Sequence, residues 1–209
     1  MKRALILATA ALTAVLAGCG SSDDSQDAAQ PSASPSAASS PSLSAPAGPT
    51  LTASDLQPPS QDNKYTRSSG RPAVVFDPCT WIPDNVISKA GYDPSTRERG
   101  KDQIAEQSFL TCNFDSETRG LQVDSGNVPW EQDLQKYTGA KQFEVNGRQA
   151  LWTNDDTYPD MCEIHLRTKV GFVRIAAILS DKVSINDVSP CDGLQDTATA
   201  IEPTIGPDA

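Results

Sequence analysis

The sequence predicts an α+β fold: a mostly antiparallel sheet of about five to six strands with three helices and two disulfides. Three observations predict it. From Phe109 to Leu179, several segments alternate apolar and polar residues, the period of a strand with one buried face. Three proline-led segments repeat their apolar residues at helical spacing. Their order is helix, two strands, helix, four strands and helix. Strands that follow one another through short turns favour antiparallel pairing, with helices on one face.

The first 71 residues are expected to stand outside that fold. Lys2 and Arg3 precede an apolar run, Ala4 to Val15. The run is shorter than the roughly 20 residues a membrane span needs, and it has the flanks of a secretory signal peptide over residues 1–18. It ends in Leu16-Ala17-Gly18-Cys19, which resembles the lipobox of bacterial lipoproteins. That resemblance implies cleavage before Cys19 and a thioether-linked, palmitate-bearing lipid on its sulfur. The chain has five cysteines, and an odd cysteine in an exported protein needs a separate role; lipidation of Cys19 supplies one. Two or more acyl chains hold a protein stably where one would not. The expected location is therefore the extracytoplasmic face of the cell membrane, with the lipid as the membrane partner. Residues 19–71 are dominated by Ser, Ala and Pro. They lack the apolar content to offset the entropy of folding and read as a disordered tether. Residues 72–209 have the size of one domain.

Within the domain, "FDPCTWIPDNVISKAG" offers Asp77 as a helix cap, Pro78 or Pro83 at a first turn, and Gly91 as a stop. "FLTCNF" and "LQVD" follow as strands, with Leu110, Cys112 and Phe114 on one face of the first. "NVPWEQDLQKYTG" places Trp130, Leu134 and Tyr137 on one helical stripe. "QFEVNGRQALW" reads as a hairpin turning at Asn146-Gly147. "CEIHLR" puts Cys162, Ile164 and Leu166 on one face and Glu163, His165 and Arg167 on the other. "GFVRIAAIL" is the most apolar strand. "SPCDGLQDTATAIEP" has Ser189 as cap and Pro190 in the first turn of the last helix.

Cys79, Cys112, Cys162 and Cys191 remain once Cys19 is set aside, an even number in an oxidising compartment. The layout makes Cys79–Cys112 and Cys162–Cys191 reachable; the rival scheme is Cys79–Cys191 with Cys112–Cys162. Their wide spacing disfavours a zinc site, and no metal or other cofactor is expected.

Charge narrows the function classes. The chain has 17 Lys plus Arg against 27 Asp plus Glu, a formal net charge of −10. A nucleic-acid partner is disfavoured, because binding to phosphates needs a basic surface. No catalytic set stands out in the sequence. There is one histidine, His165, expected to be a solvated residue on the polar face of its strand. No nucleophile elbow, phosphate loop or dinucleotide fingerprint is present. Asp155, Asp156, Asp160 and Glu163 read as a polar hairpin tip. Trp81, Trp130 and Trp152 are expected to pack in or around the core, with a binding groove as the other use.

Several motifs occur together and in order: "FDPCTWIPDNVISKAGYDP", Cys112 with an aromatic at 114, "VNGRQAL", Cys162 in a strand, and "SPCDGLQDTATAIEP". This combination resembles the actinobacterial lipoprotein family of the domain of unknown function 3558, over Phe76 to Pro203. Phe114 stands where that family often has tryptophan. The resemblance implies a lipid-anchored envelope protein with a four-cysteine frame, and it implies no activity or catalytic residue. The expected role is a non-catalytic binding or interaction module whose partner is an envelope protein. A carrier of a lipid or other small apolar ligand is the first alternative, and a hydrolase the second. A filled core favours the module, an open apolar cavity the carrier, and a buried His165 beside a serine or carboxylate the hydrolase.

Overall fold

A computed structural model describes residues 48–153, 157–207 and 209. The expected signal segment, Cys19 and the tether as far as residue 47 lie outside the described residues, as do Asp155 and Asp156. Eight strands form one sheet: β1 (Asp93–Arg99), β2 (Gln103–Ile104), β3 (Ser108–Asp115), β4 (Arg119–Gly126), β5 (Lys141–Val145), β6 (Arg148–Thr153), β7 (Met161–Arg167) and β8 (Phe172–Leu179). Every pairing is antiparallel. The spatial order is β1-β3-β4-β8-β7-β6-β5, with β2 also paired to β3. The helices are α1 (Lys64–Ser69), α2 (Pro78–Trp81), α3 (Asp84–Lys89), α4 (Trp130–Lys136) and α5 (Leu194–Ile205). Among the described residues no helix is long and apolar enough to cross a membrane.

The mostly antiparallel sheet and the two disulfides agree with the sequence, but the element counts differ. The sheet has eight strands where five to six are expected. The additions are β1 and β2, which together occupy one edge of the sheet and are interrupted at residues 100–102. Their sequence is polar and contains Pro94, so it carries no alternation to read; proline is tolerated there because an edge strand has one unpaired side. There are five helices where three are expected. The segment expected to be one helix splits at Ile82-Pro83: Ile82 takes ψ 113°, the extended geometry a following proline imposes. The last helix begins at Leu194, after Gly193 at φ 73°, and leaves Cys191 in the preceding turn. The Asn146-Gly147 hairpin has φ values of 51° and 86°, the left-handed pair that such a tight turn requires.

The expected tether boundary at residue 71 falls inside packed structure. The amides of Thr50 and Leu51 donate to the Thr80 carbonyl. Asn63 and Thr66 form a reciprocal capping box at α1. Gln61 bonds both the N–H and the C=O of Val74. Arg99 donates from Nε to the Leu56 carbonyl at 3.0 Å and pairs with Asp77 at 2.6 Å and Asp102 at 3.1 Å. The segment is held mainly by hydrogen bonds to main-chain groups and by the partly buried Arg99, which is why its low apolar content misleads.

One face of the sheet carries Cys112, Phe114, Leu121, Val123, Ile164, Leu166, Val173 and Ile175. It packs against Phe76, Cys79, Ile82 and Ile87 from the α2–α3 region and Leu194, Ala198, Ile201 and Ile205 from α5. The structure joins Cys79 to Cys112 and Cys162 to Cys191, both on this side, and not in the rival pairing. Pro203 lies inside α5 and has no N–H to offer the Thr199 carbonyl. Asn146 Nδ2 donates to that carbonyl at 3.1 Å instead, so the hairpin turn takes up the bond that the proline leaves open.

Candidate functional site

The opposite face of the same strands holds a polar row. Register places Thr111, Asp124, Arg174, His165 and Leu151 side by side across five strands. The adjacent row reads Gln122, Ala176, Glu163 and Thr153. Because side chains alternate faces along a strand, these residues share one side. The connection from β4 to β5 passes over this side as α4. It buries Trp130 against Leu151, Phe172 and Val128 in a second, smaller core.

His165 is the centre of this arrangement, and it is not solvated as expected: it is 1% exposed. Its Nδ1 lies 2.7 Å from Asp133 Oδ2 on α4, and its Nε2 3.4 Å from Glu163 Oε2. Phe172 stacks on the ring at 4.8 Å with planes 4° apart, and Tyr137 meets it edge-on at 5.4 Å. Arg174 donates from Nε to Asp124 at 2.7 Å and from Nη1 to Glu163 at 2.5 Å. Thr111 donates its hydroxyl proton to Asp124, Gln122 its amide protons to the same carboxylate, and Thr153 its hydroxyl proton to Glu163. Asp133, Asp124 and Glu163 are all buried.

The electrostatics follow from these distances. Burial alone would drive the proton off His165. Hydrogen bonds to Asp133 and Glu163, and the charges of both, outweigh it and lift the imidazole pKa above its ordinary value. Burial likewise pushes the Glu163 carboxyl up, but His165 and Arg174 overcome this and hold it below the usual carboxylate range. These residues form a chain of alternating acidic and basic groups: Asp133, His165, Glu163, Arg174, Asp124. Every buried side-chain nitrogen and oxygen among the described residues has a partner.

Beside this chain lies a groove of about 320 Å³. Lys101, Gln103 and Phe109 wall it on the β2–β3 side and Lys136 and Tyr137 on the α4 side; Asp124, Arg174 and the edge of His165 form its floor. The other described surface grooves, of about 350–550 Å³, lie at the β3–β4 turn, the α3–β1 junction, α1 and the C-terminal end of α5. No group of three or more His, Cys, Asp or Glu placed to hold a metal occurs among the described residues.

The structure separates most of the other residues that the sequence singles out. Trp81 packs edge-on to Phe76 at 5.7 Å, Trp152 lies 6.1 Å from Phe143, and Trp130 sits under α4. They do not line a common groove. Asp160 is exposed, whereas Glu163 turns into the charge chain. Asp133, Asp124 and Arg174 escape a reading of the sequence by motif, yet each leaves a signal. Asp133 falls on the apolar stripe of α4, three residues after Trp130 and four before Tyr137. Arg174 shares a strand face with Phe172 and Ala176. A charge in an apolar stripe is either solvated or paired, and here both are paired.

No curated protein and no solved structure matches the sequence. A family model does: it matches residues 14–204 and is described as "Protein of unknown function (DUF3558)". That span takes in both sides of the sheet, all four bridged cysteines and the charge chain, so this chain belongs to the domain of unknown function 3558 family.

Proposed function

We propose that the chain is a lipid-anchored, non-catalytic binding module of the cell envelope, held at the extracytoplasmic face of the membrane through Cys19. The anchor reading rests on the Lys2-Arg3 start, the short apolar run and Leu16-Ala17-Gly18-Cys19. Changing Cys19→Ala in the producing bacterium should release the protein from the membrane fraction; a variant that fractionates as before overturns the anchor.

A His165 buried beside carboxylates meets the mark set for the hydrolase, but one feature of it supports the non-catalytic reading. His165, the only histidine in the chain, has both ring nitrogens engaged by carboxylates and is almost fully buried. A general base needs a ring nitrogen within reach of the proton it abstracts, and here neither is offered to the groove. The apolar side of the sheet is filled by Ile164, Ile175, Leu194 and Ile201, which supports a module over a carrier of apolar ligands. Native mass spectra before and after organic extraction test this point. A bare mass supports the module, and a mass that extraction removes replaces it with a carrier.

The hydrolase reading keeps one observation in its favour, the 2.7 Å Asp133–His165 contact beside a groove. No hydroxyl nucleophile is bonded to His165 among the described residues. Hydrolysis of ester or glycoside reporters that is lost in His165→Gln would establish that reading; reporters left intact by the wild type support the module.

A further inference from the structure

The groove beside α4 differs in charge from the rest of the chain. Its carboxylates are already occupied: Asp133 by His165, Asp124 by Arg174 and Thr111. Its lysines have no carboxylate partner among the described residues, Lys136 being bonded to the Tyr137 side chain alone. Lys101 and Lys136 form no ion pair with any described residue, and Lys136 Nζ is held 4.7 Å over the Tyr137 ring. Arg174 spends Nε and Nη1 on Asp124 and Glu163, and its Nη2 has no partner among the described residues. Lys101 and Lys136 thus stand outside the ion network as two further cationic groups, in a chain whose formal net charge is −10. Each wall carries one aromatic ring, Phe109 on the β2–β3 side and Tyr137 on the α4 side.

We infer that this groove binds a small ligand carrying one carboxylate or phosphate on a ring, the anion meeting Lys101, Lys136 and Arg174 Nη2 and the ring lying against Tyr137. The assignment deepens the binding-module reading and rests on it. A guanidinium already fixed by two carboxylates is rigid, so its third nitrogen donates with little loss of side-chain entropy. The lysines provide a charge that a salt series can screen. Unpaired cations beside an aromatic face suit an anionic sugar or an aromatic acid better than a neutral sugar or an alkyl chain. The anion has two sources, a soluble ring acid or phosphate and a lipid headgroup.

The test uses the disulfide-intact chain, with backbone amides followed by NMR and four probes: glucuronate, glucose 1-phosphate, glucose, and phosphatidylglycerol vesicles set against phosphatidylcholine vesicles. Glucuronate and glucose 1-phosphate should shift the amides around Lys101, Gln103, Lys136 and Tyr137, and glucose should not. Lys101→Gln with Lys136→Gln, both at exposed positions, should weaken binding about tenfold or more. Binding to phosphatidylglycerol vesicles alone, lost in the double variant, also supports the site and identifies a headgroup as the source. Glucose shifting the same amides as strongly as glucuronate overturns the anionic assignment, and so does an unchanged affinity in the double variant. If no anionic probe moves the groove amides, the assignment falls. The wider module reading is judged separately, by the extraction experiment on the same sample.

Discussion

The two faces of the sheet are built from the same strands but are buried in different ways. On one, Ile164, Ile175 and Val123 meet α2, α3 and α5, and two disulfides close over them. On the other, residues one step along the same strands, Glu163, Arg174 and Asp124, meet each other under α4. Apolar burial is close to additive by area. A buried ion network is not: its members support one another, and a survivor left without its partner is costly.

The largest effect should come from breaking the polar face at one point. Arg174→Met leaves Asp124 and Glu163 buried without their shared cation and should cost about 3–5 kcal/mol in chemical denaturation. Replacing Asp124, Asp133, Glu163, Arg174 and His165 together by apolar residues of similar volume should cost much less than that single change. If the fivefold variant is as unstable as Arg174→Met, the two faces do not differ in kind.

Ile164→Ala on the apolar face should cost about 2–5 kcal/mol, with no cooperative rescue from neighbouring substitutions. Cys162→Ala with Cys191→Ala should cost about 2–4 kcal/mol, read as a lower denaturation midpoint that reductant no longer changes at this bridge.

The smallest effect is in the pH profile, to which the polar face should contribute through His165 and Glu163. The folded-state pKa of His165 is raised, so its contribution is complete below about pH 6.5 and is lost as pH rises through the folded value. The folded-state pKa of Glu163 is lowered, so its contribution is complete above about pH 4.5 and is lost as pH falls through the folded value. The pair together should give greatest stability between about pH 4.5 and 6.5. His165→Gln should flatten the alkaline side in thermal melts recorded across pH. An alkaline limb that persists in that variant would place its origin elsewhere.

The sequence showed the apolar face more clearly than the polar one. Alternation in "CEIHLR" places Cys162, Ile164 and Leu166 together, and the structure packs all three in the main core. The same alternation puts His165 with Glu163 and Arg167 but cannot say what covers them. The cover is α4, which is 25 to 35 residues away in sequence, and its Asp133 meets His165 only once the sheet has formed. The polar edge of β1 and the segment 48–71 were hidden for another reason. Both are held by main-chain bonds and by Arg99, and that kind of attachment leaves no hydrophobic period to detect.

The strand order also bears on how the molecule assembles. β1 to β4 form one meander and β5 to β8 another, and the two meet only where β4 pairs with β8. That seam joins residues about 50 apart in the chain, so it closes against a larger loop entropy than any hairpin around it. Asp124 and Arg174 are direct partners across it. Slipped by one residue, the seam would set Asp124 against a neighbour of Arg174 on the opposite face and leave both charges unmatched. The ion pair therefore fixes alignment as well as attachment: of the registers open to the two halves, the native one alone matches both charges.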